Sequence, residues 1–139
     1  MPVAITSPHD RFASLVGEWK GSGYVEPNPW GPSGVTTCTW HFRLGHGGCY
    51  LIGDFSDRRE GGFRFDAHTV LTVDPLTKDL LWFWFDTYGF PPLEPYRGRW
   101  QGAVLDVEKR TPRGAGRARL TLDAEGFGFD LAPVSRTPL

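Results

Sequence analysis

Asp86 closes the run Leu80-Leu81-Trp82-Phe83-Trp84-Phe85-Asp86, six apolar side chains ending on a carboxylate. An acid at the tip of an aromatic strand has two readings. In an apolar pocket its pKa rises, and it becomes a general acid, a general base or an anchor for a polar ligand group. In the turn Asp86-Thr87-Tyr88-Gly89 it accepts backbone N–H groups and serves the fold alone. The sequence leaves both open, and Asp86 is the one catalytic candidate.

Other reactive side chains carry less. His9, His41, His46 and His68 form no pair at metal-ligand spacing, so no metal is expected and each reads as a surface or structural residue. His46, in Gly45-His46-Gly47-Gly48, could rim a barrel mouth. Ser14, Ser22, Ser33, Ser56 and Ser135 have no nucleophile-elbow context. Gly21-Ser22-Gly23 does not lead from a strand into a helix, so it is no phosphate loop. The basic stretch 109–119, KRTPRGAGRAR, reads as a hairpin loop whose arginines pair with Asp106, Glu108 and Asp123. It has no interleaved aromatic platform, and the net charge is −1, so nucleic acid is not an expected partner.

What must position Asp86 is almost entirely strand. Eighteen Gly and twelve Pro in 139 residues predict one domain, 1–139, of short strands and tight turns. One short helix is expected at Ser7–Gly17, with Ser7 as N-cap, Pro8 at N1, Asp10 at capping-box spacing and an apolar stripe of Phe12, Leu15 and Val16. The period then switches to two. Strands are expected near 18–26, 36–44, 49–57, 63–74, 80–86, two forming a hairpin at Gln101-Gly102, 117–123 and 127–132. Such a series predicts an all-β fold: a closed, antiparallel, up-and-down barrel of about nine or ten strands, with the helix closing one end. Closure removes the exposed edges that such aromatic strands could not tolerate.

Turn chemistry fixes the expected registers. With Pro75–Lys78 as the loop, Asp74 faces Asp79, Leu71 faces Trp82, Thr69 faces Trp84 and Ala67 faces Asp86. Small against large suits a crowded interior, so Trp82, Trp84 and Asp86 point inward and Leu81, Phe83 and Phe85 outward. With Gly45–Gly48 as a turn, Trp40 faces Gly53, Cys38 faces Phe55 and Cys49 faces Leu44. The sulfurs are then too far apart to bridge, giving two free thiols in a reducing compartment. Arg97 is placed opposite Asp106 on the outer face, with Trp100, Leu105 and Val107 inward. The first four residues lack the pattern of a signal peptide, and the apolar run 80–85 is far short of the ~18 residues of a membrane span. A cytoplasmic protein without a membrane partner is expected.

Gly17-Glu18-Trp19, directly after the helix, resembles the G-x-W that opens the first strand of lipocalins and their calycin relatives, where the Trp plugs the barrel base. With GSG (21–23), DPLT (74–77), WFWFDTYGFPP (82–92) and RGRWQG (97–102), the chain over about 10–132 resembles an uncharacterised bacterial family of lipocalin-like barrels, a domain-of-unknown-function family akin in fold to nitrobindin and the fatty-acid-binding proteins. The resemblance implies a barrel of about ten strands closed by a helix. It implies no activity. Nitrobindin-like barrels hold heme through a His near the C-terminus, and FGFDLAPVSRTPL (127–139) contains none, so no cofactor is expected.

The leading functional expectation is a small apolar or aromatic ligand inside the barrel. Trp40, Trp82, Trp84 and Tyr88 would supply contact area, and Asp86 and Thr69 polar orientation. Against it stands the plainer possibility that the Trp residues only fill the core. One alternative is an isomerase, cyclase or lyase using Asp86 as general acid or base, an analogy that rests on fold. Another is a homodimeric assembly module pairing through Leu81, Phe83 and Phe85.

Overall fold

A computed structural model describes residues 10–27, 29, 31–89, 91–112, 114–123 and 126–133. A helix, α1 (Asp10–Leu15), precedes β1 (Gly17–Val25), β2 (Gly34–Gly45), β3 (Tyr50–Arg58), β4 (Arg64–Val73), β5 (Leu80–Asp86), β6 (Tyr96–Gln101), β7 (Val104–Thr111), β8 (Gly114–Asp123) and β9 (Gly126–Pro133). The nine strands close into one barrel in chain order. Each consecutive pair is antiparallel, but β1 and β9 close it in parallel, Gly21 beside Phe127 through Val25 beside Leu131. Parity demands this: in a meander of nine alternating strands the first and last run the same way. The expected all-antiparallel closure is therefore corrected at that one seam. No described helix is long and apolar enough to cross a membrane.

The Pro75–Lys78 hairpin has the expected register, from Val73–Leu80 to Ala67–Asp86. Asp74 fixes it: its Oδ1 accepts the Leu76 N–H at 2.8 Å, its carbonyl accepts Lys78 N–H at 2.8 Å, and Lys78 takes φ 67°. Two other hairpins shift by two residues. Residues 46–48 form a 3₁₀ turn that carries Cys49 into the loop, so Gly45 faces Tyr50, Trp40 faces Phe55, Phe42 faces Gly53 and Cys38 faces Asp57. A Cβ on Gly53 would lie 2.7 Å from Phe42 Cδ1 and 2.9 Å from Thr69 Oγ1, so the large-against-small packing is real but belongs to Phe42. Likewise Gly102-Ala103, with Gly102 at φ 62°, is the turn between β6 and β7, so Arg97 faces Glu108 and Asp106 faces Arg99. Arg97 instead reaches Asp79 at 3.7 Å, while Asp106 is held by Arg117 and Arg119. A two-residue shift leaves every side chain on its own face, which is why the inward assignments survive.

Stretch 109–119 is mostly ladder rather than loop, because β7 runs to Thr111 and β8 starts at Gly114. Both thiols are free, Cys38 buried and Cys49 exposed. The proposed caps Ser7 and Pro8, the side chain of Asp10, and His9 lie outside the described residues. Phe12 and Leu15 are fully buried, whereas Val16 is exposed, since the helix stops at Leu15 and the chain turns into β1. α1 closes one end of the barrel against β2 and the 46–48 turn. Trp19 packs there and donates its Nε1–H to the Leu15 carbonyl at 2.8 Å, and the Arg11 guanidinium lies 4.3 Å from the Trp100 ring centre.

Candidate functional site

The barrel interior is an aromatic stack centred on Trp40. Its ring meets Phe42 at 4.8 Å, Phe55 at 4.6 Å, Trp82 at 5.3 Å, Trp84 at 5.8 Å and Phe129 at 5.4 Å. Trp82 and Trp84 are 5.3 Å apart. The sequence-expected trio of Trp40, Trp82 and Trp84 is thus brought together by inward positions of β2 and β5. The indole N–H groups of all three are buried without a hydrogen-bond partner among the described residues. Trp100, at the helical end, shares that condition. A buried donor left unmet costs on the order of 1–3 kcal/mol.

Thr69 is wholly buried and donates its hydroxyl to the Gly53 carbonyl at 2.8 Å, so its proton is committed to the β3–β4 seam. Asp86 sits at the end of β5 away from the helix. Its Oδ1 accepts the Tyr88 N–H at 3.0 Å and its carbonyl accepts the Gly89 N–H at 3.0 Å, so the turn role read from the sequence is present. Burial also pushes its carboxyl above the ordinary carboxylate range, against the pull of the Tyr88 N–H, the Lys109 charge and the Gly89 N–H. Tyr88 packs on Phe65 with ring centres 5.1 Å apart.

The same end holds charged residues that sequence reasoning missed. On β7, Leu105 and Val107 are buried, and Lys109 continues that inward parity. Its Nζ lies 4.6 Å from the ring centre of buried Tyr96. Desolvation lowers the Lys109 pKa, and the Asp86 charge partly restores it. Burial raises the Tyr96 pKa, and Asp86 pushes the same way.

On β3 the inward series Leu51, Gly53, Phe55 ends in Asp57, followed by Arg59. Arg59 Nη2 donates to Asp57 Oδ2 at 3.2 Å, Nη1 donates to the Pro32 carbonyl at 2.8 Å, and the guanidinium lies 4.9 Å from the Phe63 ring centre. Both side chains are buried, 3% and 1% exposed, yet Asp57 Oδ1 and Arg59 Nε find no partner among the described residues. Burial raises the Asp57 carboxyl despite Arg59. Cys38 lies beside this pair, 2.9 Å from Thr36 Oγ1, and burial pushes its thiol to about 11. A thiol so protonated is a packing group, not a nucleophile.

All of them share one signal in the sequence, a charge on the apolar parity of a strand at the strand's end, which reading 109–119 as a loop hides for Lys109.

On the outer wall, Leu81 and Phe83 are half-buried and Phe85 is 53% exposed. Phe85 borders an open groove of about 490 Å³, in which His68 Nδ1 and Asp54 Oδ1 lie 2.6 Å apart. His41 and His46 are exposed, and His46 packs edge-on to Tyr50 at 5.6 Å. Among the described residues, no group of His, Cys, Asp and Glu could hold a metal ion.

A family model described as "Protein of unknown function (DUF1579)" matches residues 4–126. No curated protein and no solved structure matches the chain.

Proposed function

The chain belongs to the family of proteins of unknown function DUF1579, and from that premise we propose that it binds a small, flat, largely apolar molecule carrying a hydrogen-bond acceptor. One observation carries this reading. Trp40, Trp82 and Trp84 present three buried indole N–H donors, unpaired among the described residues, in one contiguous aromatic cluster. An apolar ligand with an acceptor recovers what those donors lose, and ring faces supply its contact area. Trp40 and Trp82 form the floor of the site. Trp84, Tyr88 and Asp86 form its wall, and Thr69 supports the floor through β3.

The test is titration with 2-naphthalenemethanol, read by quenching of intrinsic Trp fluorescence, beside native mass spectrometry of protein purified from its own host. Saturable quenching, weakened roughly fivefold to tenfold in Trp84→Phe, which keeps a ring and deletes the N–H, is the expected result. No quenching up to the solubility limit, with no co-purified mass, sinks the reading.

A further inference from the structure

Lys109 is a half-buried amine set against an aromatic ring. It lies on the inward face of β7 beyond buried Leu105 and Val107, with its Nζ over the face of Tyr96. Asp86 occupies the inward face of β5 at the same end. The β5–β6 ladder stops at the pair Trp82–Tyr96, so the last residues of β5 are not paired to β6. Asp86 and Lys109 influence each other's charge, but the ion pairs of the described residues do not join them. An amine and an acid thus share the inward parity at one end of the barrel, the amine over the Tyr96 ring, with no ion pair joining them among the described residues.

We propose that Lys109 is a carbonyl-reactive amine, and that the barrel mouth takes aromatic aldehydes or ketones as an imine on its Nζ. The proposal rests on the ligand-binding reading above and names the ligand's reactive class. Desolvation holds Lys109 below the usual lysine range, which raises the fraction of free amine near neutrality. The step balances without a co-reactant. The Nζ lone pair adds to the carbonyl carbon, both amine hydrogens leave with the carbonyl oxygen as water, and a C=N bond remains. Tyr96 supplies a ring face beside the nitrogen, and the Asp86 charge tunes how much of the amine is protonated.

The chain has three lysines, and the other two, Lys20 and Lys78, are exposed on the surface, so they serve as internal references. The experiment incubates the protein with 2-naphthaldehyde and cyanoborohydride across about pH 6 to pH 9 and maps the reduced adduct by peptide mass spectrometry. Quenching by 2-naphthalenemethanol, which has no carbonyl, is measured in parallel. Lys109 is expected to label at least tenfold faster than Lys20 or Lys78 at the acid end of the series, with a lower pH midpoint. In Asp86→Asn that midpoint moves lower still, because the carboxylate no longer favours the ammonium. Lys109→Arg, with its thermal midpoint checked, loses the adduct. Equal labelling of all three lysines, or a midpoint unmoved by Asp86→Asn, overturns the imine. If both naphthyl compounds quench and no preferential adduct forms, the imine falls and the ligand-binding reading stands. If neither quenches, no adduct forms and no mass co-purifies, both fall.

Discussion

At the helical end of the barrel, Phe12 and Leu15 seal the interior, Trp19 gives its N–H to the Leu15 carbonyl and Arg11 covers Trp100 from outside. At the opposite end, Asp57, Arg59, Asp86 and Lys109 occupy the positions that alternation reserves for apolar side chains. The first end has its charge outside an apolar plug. The second has charge within, at the expense of desolvation and of polar atoms left without partners. The two ends therefore differ in kind: one is an apolar plug and the other holds buried charge, with the aromatic stack between them as the frame of the barrel and the floor of the proposed site.

The largest expected effect breaks that frame. Trp40 is fully buried and touches five other rings, so Trp40→Ala leaves a cavity the barrel cannot close and is expected to cost about 3–5 kcal/mol in urea unfolding. A cost near 1 kcal/mol would mean that the stack is loose and that the contrast between frame and mouth is overdrawn.

The frame was legible in the sequence because alternation depends on parity, and parity tolerates errors of two. The Gly45–Gly48 and Gln101-Gly102 hairpins each lie two residues from the register that their turn chemistry predicts, yet Trp40, Phe42, Leu105 and Val107 are all inward. What the slip destroyed was pairwise detail, such as Trp40 against Gly53 or Arg97 against Asp106. The parallel seam follows from counting strands, but only once the count of nine is known. The mouth was less legible. A charged residue on an inward parity reads as a loop or a strand end until the ladder is known to continue beneath it, as β7 does beneath Lys109.

The second effect tests the mouth at its most buried pair. Asp57→Ala leaves the Arg59 guanidinium buried with the Pro32 carbonyl as its one acceptor among the described residues, and an uncompensated buried charge costs about 3 kcal/mol or more. The double variant Asp57→Leu, Arg59→Met removes both charges and should recover most of that loss, because a buried ion pair is often no better than apolar packing. Measured side by side in urea, a double variant as unstable as the single would show that the pair is worth more than its desolvation costs. The mouth would then be as structural as the helical end.

The smallest effect separates the two roles of Asp86. Asn can accept the Tyr88 N–H as Asp does, so the turn survives Asp86→Asn. What changes is the charge. Burial raises the folded-state pKa of Asp86, so its favourable contribution is fully present below the unfolded value of 3.8 and is lost as pH rises through the folded value. At pH 7 the ionised carboxylate is therefore a burden, and Asp86→Asn should match or exceed the parent in stability. Because the side chain is only partly buried, the gain should be no more than about 0.5 kcal/mol after solvent screening. The difference should vanish on acidification. Parallel urea unfolding curves at neutral and acid pH read this directly. A loss of stability at pH 7 would assign Asp86 to the turn alone, whereas an unharmed fold with altered Lys109 reactivity keeps it at the mouth for its charge.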